Sequence, residues 1–336
     1  MTRLLSAAAP DDVQAAAALL RGGRVVALPT ETVYGLAGDA RNEEAIAAIY
    51  AAKGRPADNP LIVHLPDASA LDEVVREVPA SARELAAQFW PGPLSLVLPR
   101  RPGVPDAVTA GLDTVAVRVP NHPAFQAVLR AAGVPLAAPS ANRAGSPSPT
   151  TAAHVLADLD GLIPAVLDGG PSAVGVESTV LSLVGAPRLL RPGGVSREEI
   201  EAVVGPVEVD PAVTGEEDAG LTPGAPGMKY RHYSPAAPTF VLLGSPTEAT
   251  AKVGPGDVVV CPAEEGAAFT GVRVITYGQA SDPASLARGL FAALREADTL
   301  TQSTAARVLL RVPEDETGIG LAIRNRLLKA AGFAQL

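Results

Sequence analysis

Two stretches decide the fold of the first half of the chain: PTETVYGL at residues 29–36 and, one predicted helix later, KGRPADNP at residues 53–60. Residues 24–28, in which Arg24 is followed by four apolar residues, precede the first stretch and predict a strand. Residues 42–52 predict a helix, because Asn42 can cap its N-terminus and Gly54 follows its end. The strand end and the helix end therefore both deliver polar groups to loops, where sites are usually assembled.

The composition describes an acidic, folded protein with room for two domains. The chain has 336 residues, of which 47% are hydrophobic, and a formal net charge of −9 at pH 7. That charge argues against a general nucleic-acid coat but leaves room for a local pocket that binds a small anion. Because the sequence shows neither a run of about 18 apolar residues nor a convincing signal peptide, we expect a cytoplasmic protein with no membrane partner.

The pattern of elements divides the chain into three parts. Apolar strands alternate with helices over residues 1–206, which predicts an α/β domain. Residues 207–238 are rich in Pro, Gly and acidic residues and predict a linker, although MKYRHY at residues 228–233 is basic and aromatic, unlike a passive spacer. Residues 239–336 return to alternating strands and helices, which predicts a smaller, Rossmann-like α/β domain with a mostly parallel sheet.

Three local patterns in the first domain give sharper predictions. Residues 69–78 predict a helix, and residues 178–190 predict a hairpin around Gly185. Ser196 and Glu199 have the spacing of a capping box, so a helix is expected to begin there.

Several familiar catalytic motifs are absent from the sequence. It has no Walker loop, no dinucleotide-binding glycine pattern and no His-Glu-x-x-His. The four histidines are scattered, so no zinc site is expected. Cys261 is the single cysteine, which excludes an intrachain disulfide.

Cations and hydroxyls do recur where predicted strands and helices end. Lys53 and Arg55 lie in a Gly/Pro turn, Arg118 lies within an apolar strand, and SANRAGSPS at residues 140–148 precedes a helix. Each has an ordinary alternative, because a lysine can simply favour a helix C-terminus, a strand arginine can face solvent and a loop can only cap its helix. His64, in an apolar strand, is on this basis more often a packed core histidine. Their shared position is the stronger argument, since strand ends can converge on one cleft.

The chemistry that this set suits is the binding of a polyphosphate. Arg and Lys neutralise phosphate oxygens, while Ser, Asn and backbone N–H groups orient them. Phosphoryl or nucleotidyl transfer needs mainly alignment and charge stabilisation from the protein. We expect no dedicated metal site, because a Mg²⁺ ion would be held largely by the nucleotide phosphates.

Together these motifs resemble the threonylcarbamoyl-adenylate synthase family, a YrdC-like domain in its longer two-domain form. The resemblance rests on the two stretches quoted first and on PSAN, SPT, EST and LRPG, which begin at residues 139, 148, 177 and 190. PGMKYRHY at residues 226–233 and GIGLAIRNRL at residues 318–327 are similar to the linker and the C-terminal domain of that form. The motifs cover nearly the whole chain in the right order.

The resemblance implies an open, twisted, mixed α/β sheet with a concave, positively charged cleft. It implies the conversion of L-threonine, bicarbonate and ATP into L-threonylcarbamoyl-AMP and pyrophosphate, and a downstream partner in the tRNA threonylcarbamoyl-transferase machinery. It revises the interpretation of His64 and implies that threonine is surrounded by Thr32, His64, Arg118, Ala138 and Ser178. The nucleotide residues implied are Arg55, Asn59, Thr114, Ser140, Asn142, Ser148, Arg191, Arg231, His232 and Tyr233, with Lys53 and Arg55 as the catalytic cations.

Three other interpretations stay open at this point. A nucleic-acid-binding module is disfavoured as the main role by the net charge, and weak RNA binding is kept as a secondary interaction. A carbamoyl transferase of the hydrogenase-maturation type shares this domain but needs cysteine-rich zinc motifs. A structural α/β protein without catalysis leaves the clustered cations and hydroxyls without a purpose.

Overall fold

A computed structural model describes residues 1–215, 232–301, 306–313 and 315–336. Within these ranges the chain forms a mixed sheet of eleven strands and a parallel sheet of four strands, which agrees with the predicted mixed α/β fold and its smaller second domain. The large sheet contains β1 (Arg3–Ser6), β2 (Val26–Leu28), β3 (Gly35–Asp39), β4 (Ile62–His64), β5 (Leu94–Pro99), β6 (Thr114–Arg118), β7 (Leu136–Ala137), β8 (Ala165–Asp168), β9 (Thr179–Ser182), β10 (Arg188–Arg191) and β11 (Glu208–Val209).

The small sheet and the helices complete the described elements. The strands are β12 (Thr239–Leu242), β13 (Val258–Cys261), β14 (Arg273–Thr276) and β15 (Val308–Arg311). The helices are α1 (Pro10–Arg21), α2 (Glu43–Lys53), α3 (Ala80–Phe89), α4 (Asp106–Thr109), α5 (Pro123–Ala132), α6 (Ala152–Leu159), α7 (Arg197–Val204), α8 (Pro211–Thr214), α9 (Pro246–Thr250), α10 (Pro283–Thr301) and α11 (Ile319–Ala330). In the part of the chain covered by these ranges, no helix is both long and apolar enough to span a membrane.

The order of strands in the large sheet brings distant parts of the chain to one edge. The order is β1-β8-β2-β3-β7-β4-β6-β5-β9-β10-β11. The parallel pair β4 and β6 is in register with His64 opposite Arg118, so both strands end side by side. β9 and β10 are antiparallel, so the residue before β9 and the last residue of β10, Arg191, lie at the same edge.

Alternating side chains give the large sheet two apolar faces. In β2, Val26 and Leu28 pack in a cluster with α1 and α5, whereas Ala27 packs on the other face with α2, α6 and α7. The face covered by α1 and α5 is covered only in part. Ile62 of β4 lies on it in a separate apolar cluster from the middle of the sheet, and this stretch of the face carries the cavity described below.

The small sheet has its own core, which continues into the first domain. β12 to β15 pair in parallel in the order β12-β15-β13-β14 and pack against α10 and α11. Val33 and Val176 from the first domain belong to this same apolar cluster. A partly buried ion pair between Arg295 of α10 and Asp158 of α6, at 2.8 Å, adds a polar contact between the two domains.

Several local predictions are confirmed. Asn42 caps α2, because its Oδ1 accepts hydrogen bonds from the backbone N–H groups of the next turn, and Gly54 ends the helix with a φ of +60°. The capping box of Ser196 and Glu199 is present at the start of α7. The predicted hairpin is formed by β9 and β10.

The helix predicted for residues 69–78 is wrong. A short 3₁₀ turn, Ala68–Glu73, takes its place and is capped by Asp67. The chain then extends beside the end of β5, where Val75 bridges to Arg100. Val74 and Val75 are both buried in the core, and Val75, where the chain becomes extended, has a β-branched side chain that favours that backbone.

Two described elements fall inside the stretch predicted to be a linker. β11 extends the large sheet by pairing in parallel with β10, and α8 follows it. Of the basic and aromatic part of that stretch, His232 and Tyr233 are described, whereas Arg231 lies outside the described residues.

Candidate active site

A cavity opens at the edge of the large sheet where β4 and β6 end and β9 begins. Its wall is formed by residues from the stretches 29–36 and 53–60, from the loop after β7 and from the end of the linker. The lining residues are Thr30, Thr32, Val33, Gly35, Arg55, Ile62, His64, Arg118, Ala138, Pro139, Ser140, Asn142, Ser148, Glu177, Ser178, Arg191, His232 and Tyr233.

Arg118, at the end of β6, is fixed on three sides in the wall of the cavity. Its Nη2 lies 2.6 Å from Oε1 of Glu31, and the two side chains are only 4% and 9% exposed. Its Nη1 donates to Thr32 Oγ1 at 3.0 Å and its Nε donates to the carbonyl of Gly92 at 3.1 Å. The guanidinium is therefore preorganised for an anion, with Glu31 as its carboxylate partner within the chain.

His64 faces the cavity as a neutral imidazole. Burial, followed by the charge of Arg118, lowers the pKa of His64 to about 3. Its Nδ1 lies 3.1 Å from the carbonyl of Ile62, and its ring packs 5.2 Å from that of Phe125. With a proton on Nδ1 for that carbonyl, Nε2 is left as a hydrogen-bond acceptor.

Arg55 and Arg191 contribute two further cations. Arg55 donates to the carbonyls of Asn59 and Pro60 at 3.2 and 3.0 Å, and burial lowers its pKa to about 10, so it stays charged at neutral pH. Arg191 donates from Nε and Nη2 to the carbonyl of Ser178 at 3.1 and 2.9 Å, because β9 and β10 run antiparallel.

Lys53 holds the loop after β7 and does not line the cavity. Its Nζ donates to the carbonyls of Ser140 and Asn142, and the side chain is buried. Burial, and then the charge of Arg55, lowers the pKa of Lys53 well below its ordinary value. Ser140 Oγ donates to Asn142 Oδ1 at 2.5 Å, and Asn142 Nδ2 donates to the carbonyl of Ser146 at 2.8 Å. Lys53 thus holds the backbone of the loop that presents the Ser140 hydroxyl and the Asn142 amide to the cavity.

The end of the linker closes one side of the cavity. His232 is half-buried, and its Nε2 has no hydrogen-bond partner among the described residues. Burial lowers the pKa of His232 to about 3, with Arg55 as the next cause. Ser234 donates from its backbone N–H to Gly145 at 3.0 Å and from its hydroxyl to the carbonyl of Ala330 at 2.7 Å, which ties this segment to both domains.

Most of the site residues predicted from the sequence meet in this cavity, and three do not. Asn59 and Lys53 touch lining residues from outside the cavity, and Thr114 lies at the opposite end of β6 from Arg118. Arg231 lies outside the described residues. The predicted residues that line the cavity are Thr32, Arg55, His64, Arg118, Ala138, Ser140, Asn142, Ser148, Ser178, Arg191, His232 and Tyr233.

The sequence analysis assigned no role to two carboxylates at the site. Glu31 pairs with Arg118, and Glu177 accepts a hydrogen bond from Ser148 Oγ at 2.5 Å. A signal was present, because each is the single charged residue of a long uncharged stretch, residues 25–38 and residues 169–187. A carboxylate buried with such strands needs a cation or a hydrogen-bond donor beside it.

The donor set gives a metal ion little to bind at this site. The described residues contain no group of three or more His, Cys, Asp or Glu side chains that could hold one. Glu31 and Glu177 are both in ion pairs with arginines. This donor set fits a metal that arrives on ligand oxygens better than one held in a carboxylate cage.

Comparison with known proteins extends over both domains. A family model described as "Telomere recombination", for Sua5, YciO and YrdC proteins, matches residues 18–193, and one described as "Threonylcarbamoyl-AMP synthase, C-terminal domain" matches residues 195–332. Threonylcarbamoyl-AMP synthase from Bacillus subtilis is 48% identical, with 94% of this chain and 92% of the relative covered. Its counterpart from Pyrococcus abyssi is 44% identical, with 96% and 94% covered.

Solved structures show the same extent of similarity. The crystal structure of Pyrococcus abyssi Sua5 complexed with L-threonine matches with a TM-score of 0.91 and 41% identity, covering 100% of both chains. Since the matches span the large sheet, the cavity and the small sheet, the chain belongs to the Sua5/YciO/YrdC family, in the longer form that carries the C-terminal domain of threonylcarbamoyl-AMP synthases.

Proposed function

We propose that this protein is an L-threonylcarbamoyladenylate synthase, a nucleotidyltransferase that makes L-threonylcarbamoyl-AMP and pyrophosphate from L-threonine, bicarbonate and ATP. The observation that carries the proposal is one cavity in which Arg55, Arg118 and Arg191 meet hydroxyls and a neutral histidine. The names of the relatives support the reaction, and the Pyrococcus abyssi structure with L-threonine supports the amino-acid substrate.

Threonine would bind at the end of β6. Its carboxylate is the natural partner of Arg118, whose guanidinium is already oriented by Thr32 and Glu31. Nε2 of His64 can accept a hydrogen bond from the substrate hydroxyl, because the imidazole is neutral. Ser178 and the backbone of Ala138 complete this half of the cavity.

The nucleotide would bind towards the linker. Arg55 and Arg191 would neutralise the phosphates, while Ser140, Asn142 and Ser148 would orient them. Lys53 supports phosphate binding indirectly, because it donates hydrogen bonds to the backbone carbonyls of the loop that presents Ser140 and Asn142. We therefore assign Lys53 a positioning role and keep Arg55 as the cation that touches phosphate.

The reaction follows in two steps. The threonine amine attacks CO₂ or bicarbonate, and with bicarbonate the new N–C bond forms as water leaves, giving a carbamate. A carbamate oxygen then attacks the α-phosphorus in line, and the bond to pyrophosphate breaks. The chain contributes alignment of the two reactants and cations opposite the developing charge, and it need not form a covalent intermediate.

Mg²⁺ would arrive with ATP. The two carboxylates nearest the cavity are engaged by arginines, so the ion would be held by phosphate oxygens and water and would supply charge neutralisation there.

The linker would act as a lid. The enclosed part of the cavity has a volume of about 60 Å³, which holds only a few water molecules at about 10–15 Å³ each, so we infer that the linker wall moves aside when ATP binds. His232 and Tyr233 form the wall that belongs to the linker. Their return after binding would exclude water from a product prone to hydrolysis. If deletion of residues 229–233 left turnover and product lifetime unchanged, the lid would be excluded.

The product would be used by the tRNA threonylcarbamoyl-transferase machinery, which modifies tRNAs that read ANN codons. We propose that both this partner and the protein itself act in the cytoplasm.

Mass spectrometry of the product tests the proposed reaction directly. The protein is incubated with ATP, ¹³C-bicarbonate and either threonine or serine, and labelled threonylcarbamoyl-AMP with matching pyrophosphate release is expected for threonine. Arg55→Ala should reduce turnover by about a hundredfold or more, whereas Arg41→Ala, at an exposed ion pair, should not. Absence of the labelled adenylate with the wild-type protein would overturn the proposed function.

A further inference from the structure

A buried arginine of the C-terminal domain reaches the wall of the cavity. Arg326 of α11 is fully buried, and its Nε donates to Oε2 of Glu177 at 2.7 Å. Its Nη1 donates to Oδ1 of Asn325 at 2.9 Å, and Asn325 in turn donates to the carbonyl of Val213 at 2.8 Å. Arg326 does not itself line the cavity, so any effect on bound substrate passes through the residues that it holds.

The position of Arg326 in α11 is unusual for a charged residue. It falls on the apolar face of the helix, at helical spacing with buried residues of the small domain's core. A cation on such a face is tolerated only when a partner balances its charge. The residues that share this face are Ile319, Ala322, Ile323, Leu327 and Ala330.

Glu177, the partner, is a junction of three parts of the chain. Its Oε1 accepts from Ser148 Oγ at 2.5 Å, its Oε2 accepts from Arg326, and it is also a hydrogen-bond partner of Tyr233. Burial alone would raise the pKa of Glu177, but the charges of Arg326 and then Arg191 outweigh it and hold the pKa at about 2. The carboxylate therefore stays ionised and keeps the Ser148 hydroxyl directed towards it.

Arg326 also supports the linker residue in the cavity wall. Its guanidinium carbon lies 5.5 Å from the centre of the Tyr233 ring. The centre of the same ring lies 5.2 Å from the centre of the Phe291 ring of α10. Tyr233 has a φ of +64°, a conformation that a non-glycine residue keeps only when its surroundings hold it. Two helices of the C-terminal domain thus supply the surface on which Tyr233 is held.

We propose that Arg326 is a positioning residue for the nucleotide half of the active site. It fixes Glu177, and through Glu177 it sets the positions of the Ser148 hydroxyl and the Tyr233 ring, so the C-terminal domain completes the nucleotide site of the first domain. The proposal rests on the proposed function for the identity of the nucleotide half. Threonine binding is built mainly on Arg118 and His64, whose hydrogen bonds are to Gly92, Thr32 and Ile62 and not to Glu177 or Arg326.

Steady-state kinetics of Arg326→Met test the proposal. The KM for ATP should rise between about tenfold and about a hundredfold, the cost of a small misplacement of binding groups, while calorimetric affinity for threonine should stay within about threefold. Arg324→Met is the matched control, because Arg324 lies on the same helix in a partly exposed pair with Glu316, and it should behave as the wild type.

A second pair of variants keeps the test decisive if Arg326→Met folds poorly. The double variant Glu177→Gln with Arg326→Met removes both charges of the pair, so it should fold and keep the raised KM for ATP, whereas Glu177→Gln alone leaves the buried Arg326 cation without its carboxylate and is compared only where it folds. Because Arg326 acts through Glu177, adding Arg326→Met to Glu177→Gln should change the KM for ATP by less than about twofold. A full additional effect, an unchanged KM in Arg326→Met, or equal losses for ATP and threonine would overturn the proposal.

Failure of the proposed function would be visible separately. If the wild-type protein made no threonylcarbamoyl-AMP, calorimetry with an ATP analogue carrying a methylene bridge between the α- and β-phosphorus would replace the KM. Loss of analogue affinity in Arg326→Met but not in Arg324→Met would still support the positioning role, and equal affinity in both would refute it.

Discussion

Removal of Arg118 should affect stability and threonine binding by separable amounts. Arg118 and Glu31 form a buried ion pair at 2.6 Å, and Arg118→Met would leave the Glu31 carboxylate buried without its cation. The free energy of unfolding should fall by about 3–5 kcal/mol, the usual cost of breaking a buried pair from one side. The double variant with Glu31→Gln neutralises both groups and should recover most of that loss.

Threonine binding should not recover in the double variant. Hydrogen bonds to a charged group contribute about 1.5–3 kcal/mol, so loss of the guanidinium should weaken threonine binding between about tenfold and about a hundredfold in both variants. Urea denaturation gives the stabilities and calorimetry gives the affinities. Arg188→Met, at an exposed pair with Glu208, is the control and should cost at most about 1 kcal/mol. The reasoning fails if the two substitutions are additive in stability, or if the folded double variant binds threonine as the wild type does.

Three further predictions follow from single contacts. Arg295→Met should lower the free energy of unfolding by about 2 kcal/mol, because it breaks the partly buried pair with Asp158 between the domains. Arg288→Met on the same helix, at an exposed 3.4 Å pair, should cost less than about 1 kcal/mol, and equal losses in calorimetric scans would contradict this. Lys53→Met should raise the KM for ATP by about tenfold or more, through release of the loop after β7, and an unchanged KM would remove its positioning role. The pKa of His64 is about 3 in the folded protein and about 6.5 in the unfolded chain. The unfolded chain therefore takes up the proton first, and the free energy of unfolding falls as the pH drops from about 6 to about 4. His64→Asn should reduce that slope by about 1.4 kcal/mol per pH unit in denaturant titrations, and an identical slope would refute the burial argument.

The sequence predicted the parts of the fold that depend on neighbouring residues. The N-cap Asn42, the capping box of Ser196 and Glu199 and the β9–β10 hairpin are all confirmed, because each depends on a spacing of a few residues. The predicted convergence of strand ends also places Arg118 and Arg191 in one cavity. The failed helix at residues 69–78 marks the limit, since the tertiary burial of Val74 and Val75 overrode a weak local preference.

Contacts between distant residues were beyond the reach of the sequence. The Glu31–Arg118 pair spans 87 positions and the Glu177–Arg326 pair spans 149, and no pattern within one segment specifies either partner. The same applies to Lys53, whose place at the end of α2 was predicted but whose carbonyl partners lie 87 and 89 residues further on. Direct contact with phosphate could therefore not be distinguished from support of a loop.

A crystal structure with L-threonine and a nonhydrolysable ATP analogue would test the central claim most directly. The account predicts that both ligands occupy the one cavity, with the threonine carboxylate on Arg118, the phosphates on Arg55 and Arg191, and the amine facing the α-phosphorus. Ligands bound at separate surfaces, or phosphates that contact none of these arginines, would contradict it.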